Sequence, residues 1–99
     1  MEIITKAEGS ALTVKVSGRM DTTTAPQLEA ALKEQMGNTE ELILDFSDLE
    51  YISSAGLRVL LSAQKRMNAR GGSMRVTGAN EIVKEIFDVT GFSDILTIG

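Results

Sequence analysis

The amino-acid sequence predicts an α/β fold: a central mixed, mainly parallel sheet in the order β-β-α-β-α-β-α-β, with helices packed on it. Three observations carry this. Apolar and polar residues alternate strictly over residues 12–17, so residues 11–17 read as a strand with one buried face. Apolar residues then recur at helical spacing in three later segments, each followed by glycine. Between those segments lie short apolar runs suited to strands of a parallel sheet.

In chain order, Ile3-Ile4-Thr5 and the alternating Leu12, Val14 and Val16 are expected to form a hairpin across the turn signal Glu8-Gly9-Ser10. From Thr24 the spacing of Leu28, Ala31, Leu32 and Met36 predicts a helix. Thr24 followed three residues later by Gln27 matches a capping box, Pro26 is tolerated in the first turn, and Gly37-Asn38 supplies the stop. Leu42-Ile43-Leu44-Asp45-Phe46 is nearly continuous in its apolarity, as expected of a central strand covered on both sides. A second helix runs from about Ser54 to Ala69 on Leu57, Leu60, Leu61 and Met67, and Gly71-Gly72 ends it. Residues 74–77 read as a strand, Asn80 caps a third helix ending near Gly91, and residues 95–98 add a weak final strand.

Composition narrows the function. The 99 residues, 42% hydrophobic and 24% charged, are ordinary for one globular domain, taken as residues 1–99. A net charge of −4 without a Lys/Arg block argues against nucleic acid as a partner. The first residues lack the basic-then-apolar order of a secretory signal, and no apolar run approaches the roughly 18 residues of a membrane span, so direct membrane insertion is not expected. A cytoplasmic location follows. The absence of cysteine excludes disulfides and thiolate metal sites, and the absence of histidine excludes a Ser-His-Asp hydrolase. No Gly-rich nucleotide loop follows any strand. A binding protein without cofactor or metal is therefore expected, rather than an enzyme.

Loops after the carboxyl ends of parallel strands share one edge, where ligands and partners usually bind. That rule gathers the loop Gly18-Arg19-Met20-Asp21, the segment from Ser47 to Ser54, and the turn Thr77-Gly78-Ala79-Asn80. A serine at the start of the second helix has two readings: an N-cap worth about 1 kcal/mol, or a phosphate acceptor favoured by the free N–H groups and positive end of the helix. Asp21 likewise either begins a turn by bonding backbone N–H groups or contacts a partner.

The stretch from Leu44 through Ser53-Ser54-Ala55-Gly56-Leu57 resembles the signature of STAS domains, especially bacterial anti-sigma factor antagonists. Gly18-Arg19-Met20-Asp21, Gly71-Gly72-Ser73-Met74 and the segment from Val83 to Gly91 extend the likeness over nearly the whole chain. The resemblance implies a STAS-type fold and a phosphorylation-controlled switch in transcription regulation. It places Ser54 at the phosphoacceptor position, with Ser53 as the alternative because it stands where the family usually has aspartate. It also implies two partners: an anti-sigma factor with serine kinase activity, and a phosphatase acting on the phosphorylated form. Met20, Asp21, Ser53, Ser54, Gly56, Leu57 and Arg58 are the candidate contact residues. Arg58, four residues after Ser54, either faces a phosphate on the same side of the helix or is simply solvated. The Ser53 departure keeps a second role open, a constitutive adaptor in a transport or lipid-trafficking complex.

Overall fold

The chain builds its sheet in the order in which it is synthesised. In the computed structural model, which describes residues 1–99, β1 (Glu2–Glu8) and β2 (Ala11–Met20) form an antiparallel hairpin, with Gly9 and Ser10 at the turn. The strands β3 (Glu41–Ile52), β4 (Ser73–Thr77) and β5 (Thr97–Ile98) then add in parallel, so the spatial order β1-β2-β3-β4-β5 equals the chain order. Helices α1 (Ala25–Gln35), α2 (Ser54–Ala69) and α3 (Glu81–Thr90) make the three crossovers. The mixed, mainly parallel α/β sheet is thus the one read from the sequence.

Each crossover steps one strand in the same direction. With the uniform right hand that such units take, all three helices fall on one face of the sheet. Burial follows. Leu12, Val14, Val16, Leu42, Leu44, Phe46, Met74 and Val76 are buried against the helices, while Thr13, Lys15, Ile43 and Asp45 between them are only half-buried. The expectation that residues 42–46 are covered on both sides is therefore corrected. Ile43 faces outward beside the ion pairs Lys15–Asp48 at 3.2 Å and Arg75–Glu41 at 3.5 Å, and an apolar residue there mimics two-sided burial in sequence.

Two strands also run further than expected. β2 continues to Met20, so Gly18-Arg19-Met20 is strand rather than loop, and β3 continues to Ile52. Between Lys15↔Asp45 and Ser17↔Asp48, β3 spends one extra residue, and it spends another between Gly18↔Leu49 and Arg19↔Tyr51. These are two β-bulges. They change the buried spacing from Leu42, Leu44, Phe46 to Leu49, Ile52, which erases the alternation that identifies a strand.

The helix ends differ in detail. α1 lacks the capping box: Thr24 makes no side-chain cap bond, and its hydroxyl instead donates to the Arg19 carbonyl at 2.7 Å. Asn80 does cap α3, its side chain accepting from Val83 N at 2.8 Å, and Gly91 ends that helix in the left-handed region. The last strand is only Thr97–Ile98, because Phe92–Asp94 fold as a 3-10 turn. Arg70, just past α2, donates to the carbonyls of Met36 at 2.6 Å and Thr39 at 2.9 Å, satisfying oxygens left free where α1 ends. No helix is long and apolar enough to cross a membrane.

Gly78 locks the β4–α3 turn onto the first bulge. Its φ is +73°, and a Cβ there would lie 3.0 Å from the backbone of Ser47. Gly78→Ala therefore meets both a strained backbone and a clash with main chain that cannot swing aside. It should cost about 1–3 kcal/mol, read as a lower urea midpoint with unchanged m-value. An unshifted midpoint would mean that this turn does not bear on the bulge.

Candidate functional site: the serine turn and its neighbouring loops

The extended pairing of β2 with β3 sets the site. Met20 pairs with Ile52, and one step later Ser53 N donates to the Met20 carbonyl at 2.8 Å. Ser53 has extended backbone (φ −95°, ψ 176°), and its own carbonyl accepts the first bond of α2 from Leu57 N at 3.0 Å. The last sheet bond and the first helix bond thus share one residue.

The two serines have opposite environments. Ser53 stands at the N-cap position but makes no cap bond, and its Oγ is buried without a hydrogen-bond partner. Ser54, the first residue of α2, is exposed. Only the second hydroxyl meets solvent.

Gly56 lets the turn sit close to the sheet. A Cβ at this position would lie 2.7 Å from both Ile52 Cγ1 and Met20 Sδ. Met20 is fully buried and Leu57 nearly so, which makes these two candidate contact residues core residues, and Gly56 is buried with them. They shape the surface from beneath. Arg58 is exposed on α2, with no ion-pair partner in the chain.

Asp21 serves its own turn. Its Oδ1 accepts from Thr23 N at 3.0 Å, Thr23 Oγ1 at 2.7 Å and Thr24 N at 3.1 Å, and its carbonyl accepts from Ala25 N at 2.8 Å. These bonds, that from the Thr23 hydroxyl foremost, hold the carboxyl below the usual carboxylate range. Oδ2 has no partner within the chain, so half of the carboxylate is left for something outside it.

The third loop is tied in by Asn80, a link the sequence reading missed. Besides capping α3, its Nδ2 donates to the Leu49 carbonyl at 3.1 Å, between the bulges. Asparagine in place of serine or threonine at that cap was the available signal, since an amide accepts and donates through two separate atoms and so can reach in two directions. The three stretches gathered from the sequence do meet at one edge, as two strand ends and a turn rather than three loops.

This geometry accords with the comparisons. The chain belongs to the STAS domain family, whose model matches residues 2–99. Among curated relatives it is 31% identical over 85 residues to the anti-sigma-B factor antagonist of Bacillus subtilis, covering 86% of this chain and 78% of that protein. It is 32% identical over 89 residues to the anti-sigma F factor antagonist of Paenibacillus polymyxa, covering 88% and 76%. Among solved structures, unphosphorylated SpoIIAA, an anti-sigma factor antagonist, superposes with a TM-score of 0.85 at 16% identity, over 99% of this chain and 88% of that one. At that identity the superposition speaks for the fold.

Asp21 supplies a pH test. A carboxyl whose folded value is lowered stabilises the protein above its unfolded value, and the contribution is lost as pH falls through the folded value. The melting-temperature gap between wild type and Asp21→Ala should therefore be widest near neutrality. It should close as pH drops below the ordinary carboxylate value of 3.8. A gap of constant size across that range would mean that the charge does not hold the turn.

Proposed function

We propose that this chain is an anti-sigma factor antagonist that works by partner switching. Unphosphorylated, it binds an anti-sigma factor that is also a serine kinase, and a sigma factor is released. The kinase transfers the γ-phosphoryl group of ATP to Ser54 Oγ, the hydroxyl proton is lost and ADP leaves. A phosphatase returns the binding form by hydrolysis. The relatives named as antagonists support the partner class. The observation that carries the residue assignment is the contrast between the serines, Ser54 exposed and Ser53 Oγ buried.

The physics of the switch is local. A phosphoserine carries about −1.5 to −2 charges. At the first residue of α2 that charge faces the positive end of the helix and favours it by roughly 0.3–1 kcal/mol, so the isolated domain should not unfold. Inside a protein contact the same group must be desolvated, which costs several kcal/mol where no partner charge compensates. At about 1.4 kcal/mol per tenfold, that abolishes binding.

The test uses each purified anti-sigma factor encoded beside this chain, with Mg-ATP and mass-spectrometric mapping. One phosphate on Ser54 is expected. Ser54→Ala should bind the kinase and stay unmodified, and Ser54→Asp should lose binding while its amide spectrum changes only around the serine turn and its neighbouring loops. Phosphate on Ser53 would overturn the residue assignment. Spectral changes spread through residues 42–46 and 74–77 would replace a local charge switch with a conformational one, and no binding at all would favour a constitutive adaptor.

A further inference from the structure

A groove of about 290 Å³ lies between α1 and α2, next to the serine turn. Thr22, Ala25 and Pro26 form one wall, and Ala55, Arg58 and Val59 form the other. The first wall begins one residue after Asp21 and the second one residue after Ser54, so the groove is continuous with the surface assigned to the partner. The lining is mixed: Ala25, Pro26, Ala55 and Val59 are apolar, while Thr22, Glu29, Arg58 and Ser62 are polar or charged.

The charges at the groove are unequal. Its acid, Glu29, is engaged by Lys33 at 3.5 Å one turn further along α1. Arg58 is engaged by nothing in the chain. Three other arginines are committed, Arg75 to Glu41, Arg70 to carbonyl oxygens, and Arg19 over the ring of Tyr51 at 4.6 Å, and Arg66 does not line the groove. The groove thus offers a free guanidinium beside a few small apolar side chains, and the matching group is a carboxylate.

We propose that the α1–α2 groove receives an acidic side chain of the anti-sigma partner, anchored on Arg58, and that phosphate on Ser54 takes the same guanidinium away. This rests on the partner-switching reading. Ser54 and Arg58 stand four residues apart on α2, where side chains lie on one face with Cβ atoms about 5–6 Å apart. A phosphate there is held at high effective concentration beside the guanidinium, whereas the partner's carboxylate must arrive from solution. Phosphorylation then does two things at one place: it removes the anchor and sets a like charge against the incoming carboxylate.

Binding is measured by calorimetry with the purified anti-sigma factor that wild type binds, using wild type, Arg58→Met, Arg58→Lys and Lys65→Met. Arg58→Met keeps an apolar stem and should weaken binding at least tenfold, and Arg58→Lys should recover part of the loss. Lys65→Met removes the same charge from an exposed position of α2 that does not line the groove, and it should stay within twofold of wild type. Arg58→Met binding like wild type, or Lys65→Met losing as much, would overturn the groove assignment.

The capture step needs no partner. With phosphoserine installed at position 54 during translation, the second phosphate ionisation is followed by phosphorus NMR. It should lie lower in the wild-type background than in Arg58→Met, since a neighbouring cation favours the dianion. Identical titrations would overturn the capture. If no anti-sigma factor binds wild type, the partner-switching reading fails, while the titration still decides whether Arg58 takes the phosphate.

Discussion

The hydrogen bond from Ser53 N to the Met20 carbonyl is the constraint on which the functional edge depends. It closes the β2–β3 ladder at the residue where α2 begins, so the helix cannot start elsewhere without breaking the sheet. The bulges in β3 make that bond possible by adding two residues to one strand and none to the other. Without them Ile52 would fall out of step with Met20, and the helix would begin away from the turn that holds Asp21. Gly56 completes the fit, because Ile52 and Met20 fill the space a side chain would need.

Much of this was legible in the sequence. The α2 limits, Ser54 and Ala69, were read as they stand, because leucines at helical spacing and a Gly-Gly stop are local signals. The hairpin and the Asn80 cap were legible for the same reason. What escaped was set by contacts between distant residues. Residues 47–52 looked like loop because bulges destroy a strand's period, and their extended form comes from pairing with residues 17–20. The Thr24–Gln27 box matched a motif, yet the hydroxyl of Thr24 is claimed by the end of β2. Met20 looked like a surface contact because it sits among loop-type residues, whereas the twofold period of β2 carries it inward.

The candidate site shows a division between residues that make the surface and residues that present it. Met20, Ile52, Gly56 and Leu57 are buried and fix the height and tilt of the first turn of α2. Ser54, Arg58 and Oδ2 of Asp21 are what a partner can reach. Asp21 belongs to both groups, since one oxygen organises the turn and the other is unpartnered. The two readings of that residue are therefore compatible, and a substitution there mixes folding with recognition in a way that Arg58 does not.

The antiparallel start of the sheet has a practical consequence for handling this protein. Glu2 pairs with Ser17 near the end of β2, and Gly99 follows β5 at the carboxyl end of the parallel strands. Both Met1 and Gly99 thus lie at the same end of the sheet as the serine turn. An affinity tag or fluorescent label fused at either position crowds the surface it is meant to report on. The turns at Gly9-Ser10, Gly37-Asn38 and Gly71-Gly72 lie at the opposite end and are exposed apart from the partly covered Gly72. Because loop closure grows costlier only slowly with length, a label inserted at Gly9-Ser10 or Gly37-Asn38 leaves the serine edge unobstructed.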